Sequence, residues 1–128
     1  MSQGTPWVMT AALISWSGFF LHNYADLPGQ TILSPETLYP TLVYLALIAA
    51  WFLKPIRNIA AWALFGWALL HLVGGAIVSV LPLPFLPFNP EQTLRHYMFH
   101  AIYGVLQIPL VAMSLTWRPG RSAAARRA

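Results

Sequence analysis

Four apolar stretches, each near or above 20 residues, dominate the chain: 6–24 (PWVMTAALISWSGFFLHNY), 35–53 (PETLYPTLVYLALIAAWFL), 58–80 and 92–117. A helix needs about 20 residues to cross roughly 30 Å of hydrocarbon, so each stretch meets that length, and the fourth is long enough to tilt or project. Charge is too scarce to coat a soluble surface. Only 8% of the 128 residues are charged and 58% are hydrophobic, where a soluble domain carries about 25% charge. The expected fold is therefore an all-α integral membrane domain over residues 1–117. Four transmembrane helices in an up-down bundle would be followed by a basic tail at 118–128.

Proline chemistry punctuates these stretches. Thr5-Pro6, Ser34-Pro35 and Asn89-Pro90 each set a capping side chain before a proline that has no N–H to satisfy, which predicts helix starts there. Gln92 stands where a capping box would place it. Lys54-Pro55 separates the second stretch from the third, Pro109 predicts a kink in the fourth, and Arg118-Pro119-Gly120 ends it. The first stretch lacks a basic start and a small-x-small cleavage site, so it reads as a retained helix and not a leader.

The basic residues are divided unevenly. Lys54, Arg57, Arg118, Arg121, Arg126 and Arg127 fall on one side of the expected bundle, and Arg95 falls on the other with all three acids, Asp26, Glu36 and Glu91. The positive-inside rule then puts both termini in the cytoplasm and loops 25–34 and 81–91 outside. The expected location is a bacterial plasma membrane, with the basic tail near anionic headgroups. The second outer loop contains Pro82, Pro84, Pro87 and Pro90 among Leu83, Phe85, Leu86 and Phe88. It reads as a stiff apolar connector or a cover over the bundle mouth.

Against this background the four histidines stand out. His22 ends the first stretch, and His96 and His100 open the fourth. His71 lies thirteen residues past Asn58, about 20 Å along a helix from the cytoplasmic side. All four are expected in one layer of the outer leaflet. On the fourth helix His96, His100, Tyr103 and Gln107 follow an i, i+4, i+7, i+11 stripe. On the first, Ser15, Gly18, His22 and Asp26 share a face. His71 is followed by Gly74 and Gly75, small residues that admit a neighbouring helix or a flat cofactor.

Two cofactor chemistries suit such a layer. His-x-x-x-His on one helix face is a chelate for Cu, Zn or Fe, which His22 and His71 would complete; Asp26, Glu36 or Glu91 would add ligands or orient the rings. Haem b is the other, with two facing histidines on the iron, for instance His71 with His22 or with His100, and Arg95 beside a propionate. Tyr103 and Gln107 would line the pocket or bond to its contents. Either cofactor would serve redox chemistry or metal handling, and nothing in the sequence decides whether the chain is an enzyme.

Rival readings remain. The stripe suits a quinone or lipid pocket, or polar glue in an accessory subunit of a larger membrane complex or homo-oligomer. Absence of cysteine removes thiolate ligands and disulfides. No phosphate loop is present, and no basic, aromatic-interleaved face for nucleic acid. The bilayer is the one partner expected throughout.

Overall fold

The computed structural model describes residues 4–116; Trp117 and the tail at 118–128 lie outside the described residues. The described chain is helical, with no strand. Helix α1 (Thr5–Leu21) continues through a π-helical turn, His22–Asp26. Helix α2 spans Pro35–Phe52. A 3-10 turn, Lys54–Ile56, leads into α3 (Arg57–Leu69), which is prolonged by a π-helical segment, Leu70–Ile77, and a second 3-10 turn, Val78–Val80. Helix α4 spans Leu94–Thr116 and runs through Pro109.

These elements match the four expected helices, but their starts differ from the expected caps. Gly4, not Thr5, is the N-cap of α1. Thr5 is buried and its Oγ1 accepts from Trp51 Nε1 (3.3 Å). Ser34 does occupy the N-cap of α2 but makes no capping bond; its Oγ accepts from the Thr31 N–H (2.9 Å) instead. The start of α4 lies beyond Asn89-Pro90, at Leu94, where Thr93 Oγ1 accepts the His96 N–H (3.3 Å). Gln92 is no capping-box residue. Its amide donates to the Val80 carbonyl (3.0 Å), which ties the proline-rich loop to the end of the α3 run and delays the helix.

The helices pack as a ring in which α1 lies along α4, α4 along α3, α3 against α2, and α2 against α1. Their ends alternate. At one end Trp51 and Thr5 meet, and Arg57 Nε donates to the Trp51 carbonyl (2.8 Å). At the other, the C-terminal turns of α1 and of the α3 run meet the first turns of α2 and α4, through His22, Ala76, Thr37 and His100. Lys54 and Arg57 therefore stand at the opposite end from Asp26, Glu36, Glu91 and Arg95.

Polarity runs inside out. Ser15, Asn23, Thr37 and Gln107 are buried together with all four histidines, whereas Trp7, Leu33, Tyr39, Ile59, Phe85 and Leu94 are well exposed. Two continuous helical stretches, Lys54–Val80 and Leu94–Thr116, are long and apolar enough to cross a membrane.

Close approach of α1 and α4 depends on Gly18. A β-carbon there would lie 2.7 Å from Leu106 Cβ and 3.4 Å from the Tyr103 carbonyl, and neither neighbour can yield without moving α4. Gly18→Ala should therefore destabilise by about 1–3 kcal/mol. Gly66 has no neighbour within 4 Å of such an atom, so Gly66→Ala should be neutral or up to about 1 kcal/mol stabilising. Thermal unfolding of the two purified variants against the parent checks the contrast.

Candidate metal centre

A π-helical turn bonds residue i to i+5 and widens the helix. At the end of α1 this keeps His22 and Asp26, four residues apart, both pointing inward and both buried. Ordinary α-helical spacing does the same for His96 and His100 on α4. The result is a cluster at the loop end of the bundle. One ring nitrogen from each of His22, His96 and His100 lies within 4.8 Å of the other two. The Nε2 atoms of His22 and His100 are 2.9 Å apart.

The other side of each ring faces an acceptor. His96 Nδ1 donates to the Asp26 carboxylate. His100 Nδ1 donates to the Ala76 carbonyl (3.0 Å), within the π-helical segment that follows α3. His22 Nδ1 faces Asn23 Oδ1 at 3.0 Å. The amide of Asn23 is oriented by its own partners: its Nδ2 donates to the Glu36 carbonyl (3.2 Å) and to Thr37 Oγ1 (3.1 Å). Oδ1 is therefore the atom turned to His22. A neutral ring that donates from Nδ1 keeps its lone pair on Nε2. The Nε2 atoms of His22 and His100 face each other at hydrogen-bonding distance. A proton shared between them, or a metal cation, satisfies both.

Asp26 is the one buried acid here. Besides His96 it has Arg95 Nε 3.6 Å from Oδ1, and His22 Nε2 stands 4.0 Å from Oδ2. The exposed Arg95 side chain also donates to the Ala25 carbonyl (2.5 Å) and lies 5.7 Å over the Phe99 ring. Its partners are thus Asp26 and the chain end of α1, not the propionate considered for it. Glu36 and Glu91 are exposed on the wall of a cavity of about 450 Å³, whose floor is the three histidines. Leu27 and Pro28 of one loop and Phe88, Asn89 and Pro90 of the other complete it, so the end of the proline-rich loop stands over the cluster. Neither glutamate belongs to the group of converging ring nitrogens, and both line the cavity above it. Glu36 takes the Gln30 amide (3.4 Å), and Glu91 takes the Thr93 hydroxyl (3.0 Å).

His71 does not join the cluster. Tyr103 stands between: its hydroxyl bonds to His71 Nδ1, and its ring is stacked with His22 at 5.4 Å. Phe19 and Trp67 set ring edges against His71 at 5.1 and 4.7 Å. The space beside Gly75, expected to admit a flat cofactor, holds the Tyr103 side chain, and Leu106 occupies the space beside Gly18.

Haem fares poorly for the same reason and one more. Trans ligands on one iron need nitrogens about 4 Å apart, twice a metal–nitrogen bond, with the macrocycle between them. At 2.9 Å the His22 and His100 nitrogens leave no room. Two imidazoles on a tetrahedral ion need a spacing of about 3.3 Å, which small ring rotations supply. Imidazole-only ligation suits Zn, Cu or Fe. Three protein ligands would leave a coordination position for water or a small molecule from the cavity.

Gln107, expected beside the cluster, serves a separate network deeper in the bundle. Its Oε1 accepts from Ser15 Oγ and its amide donates to the Ser15 carbonyl (2.9 Å), while Tyr44 Oη donates to Ser15 Oγ (2.6 Å) and also approaches Gln107 Oε1 at 3.3 Å. Comparison with protein-family models, curated proteins and solved structures finds no match. Function is read from the side chains.

Gln107 is fully buried and joins α1, α2 and α4. Gln107→Leu keeps the volume and leaves the Tyr44 and Ser15 groups short of a partner. It should cost about 1–3 kcal/mol in thermal unfolding and leave the histidine cluster, a separate network, able to take up added metal as the parent does.

Proposed function

We propose that this chain is a small integral membrane protein. It binds one transition metal ion, Zn, Cu or Fe, through His22, His96 and His100, for metal handling or redox chemistry at the end of the bundle away from Lys54 and Arg57. One observation carries the metal reading: three imidazoles whose Nδ1 atoms are committed to acceptors, and whose remaining nitrogens converge within 4.8 Å. Outer partners of this kind orient ligating rings and raise their basicity. Asp26 supplies the one negative charge that offsets an added cation.

The membrane reading is supported by the inside-out polarity. A bilayer accepts exposed Trp, Leu and Ile that water does not, and it drives ionisable groups to the interior of the bundle. The two long apolar helices are in keeping with this; only 28% and 22% of their most apolar windows are buried within the protein, so most of their surface needs an apolar environment. Lys54 and Arg57 mark the cytoplasmic end by the positive-inside rule, and the histidine centre then faces the opposite side.

Protein purified in mild detergent, stripped with chelator and titrated with Zn(II) or Cu(II), should take up one ion per chain. His100→Ala should abolish uptake. Asp26→Asn should weaken it by about 10- to 100-fold, the usual effect of losing an outer partner, and His71→Ala should retain it. Equilibrium dialysis with elemental analysis reads all four. No uptake by the parent, or equal uptake by His100→Ala, overturns the metal reading.

Topology is testable separately because the chain has no cysteine. In intact cells, Glu91→Cys should react with a membrane-impermeant maleimide and Lys54→Cys should react only after lysis. The reverse pattern would invert the orientation, and equal labelling of both in intact cells would count against a spanning bundle.

A further inference from the structure

We infer that Pro40, on a helix that supplies no ligand, sets the tautomer of His22 through Asn23 and so decides whether that ring presents a lone pair to the metal. The inference about metal affinity rests on the proposed metal centre; the inference about the tautomer does not.

The chain of causes starts in the backbone of α2. Pro40 lies inside this helix. It has no N–H, so the carbonyl four residues earlier, that of Glu36, lacks its helical partner, and the proline ring pushes that carbonyl outward. A carbonyl left without a donor in a packed bundle is costly. Asn23, buried at 6% exposure, fills the vacancy: its Nδ2 reaches the Glu36 carbonyl at 3.2 Å. The same Nδ2 meets Thr37 Oγ1 at 3.1 Å. Thr37 spends its own proton on Gln30 Oε1 (3.3 Å) and so offers Asn23 a lone pair.

Two acceptors thus demand the amide nitrogen on that side. Turning the Asn23 amide over would set oxygen against oxygen at Glu36. With Nδ2 fixed, Oδ1 faces His22 Nδ1 at 3.0 Å and demands a proton from it. His22 Nε2 then faces His100 Nε2 at 2.9 Å, a contact completed by a shared proton or by a metal ion. A carbonyl released by a proline on one helix therefore selects the protonation site of a ring on another. Asn23 and Pro40 are positioning residues, since neither touches the ion.

Histidine-selective ¹⁵N labelling of metal-free protein at a pH where the rings are neutral separates the tautomers directly, because protonated and bare ring nitrogens resonate far apart. His22 of the parent should be Nδ1–H. Asn23→Asp keeps an acceptor for His22 Nδ1 and should hold that tautomer, at a cost in stability because its second oxygen faces the Glu36 carbonyl. Asn23→Leu removes the acceptor and should move His22 to the Nε2–H form. Pro40→Ala returns an N–H to Glu36, releases the amide to turn, and should give a mixture of tautomers. Zn(II) affinity should follow the same order: near parental for Asn23→Asp, several-fold weaker for Pro40→Ala, and at least about tenfold weaker for Asn23→Leu.

An Nε2–H ring at His22 in the parent overturns the inference, as does an unchanged tautomer in Pro40→Ala. If Pro40→Ala does not fold, the parent, Asn23→Asp and Asn23→Leu spectra still decide the amide's part; equal tautomers in the two Asn23 variants refute it. Correct tautomers in a parent that takes up no metal would sink the metal centre and leave the tautomer control standing.

Discussion

Apart from the buried Trp67 Nε1, the buried polar side chains find partners within the bundle, and the placement of the histidines follows from that constraint. The exterior is apolar, so hydrogen-bond capacity is concentrated in the interior, where an unpaired donor or acceptor costs about 1–3 kcal/mol. The rings answer with three different acceptors: a carboxylate from the end of α1, a side-chain amide beside His22, and a backbone carbonyl from the α3 run. Those bonds fix the orientation of the three rings. The remaining ring nitrogens converge because the bonded ones are held, the arrangement that a preorganised ligand set would need.

Departures from α-helical geometry make those acceptors available. A regular helix consumes its own carbonyls. Here the π-helical turn at His22–Asp26 brings an acid and a histidine to one face, the π-helical segment Leu70–Ile77 carries the Ala76 carbonyl to His100, and Pro40 opens the Glu36 carbonyl. π-helical turns recur at functional sites for this reason. All three irregularities stand near one end of the bundle. At the other end, Trp51, Leu64 and Val8 pack with little exposure.

Much of the cluster was legible in the sequence. The α4 stripe of His96, His100, Tyr103 and Gln107 is buried throughout, as periodicity implied, and so is the α1 stripe of Ser15, Gly18, His22 and Asp26. Asp26 was readable as an orienting partner because it shares that stripe. His71 stands outside the group of three because depth along a helix says nothing of azimuth, and the Tyr103 side chain from α4 fills the gap beside Gly75. Asn23 gave no signal: an amide beside a histidine is common, and its meaning depends on a carbonyl thirteen residues away in the chain. The start of α4 was misplaced because cap chemistry is local, whereas the Gln92–Val80 bond that sets the boundary is not.

The cavity over the histidines opens among loop residues 27–28 and 88–91, while below the cluster the section is filled by Tyr103, His71 and the Ser15–Tyr44–Gln107 knot. His100 is reached from two directions, since a second cavity on the flank of α4, among Leu72, Ala76, Tyr97 and Gly104, also borders it. The cluster therefore sits at a crossing of two spaces, one opening among the loops and one opening between helices, and a small molecule could meet its rings along either approach.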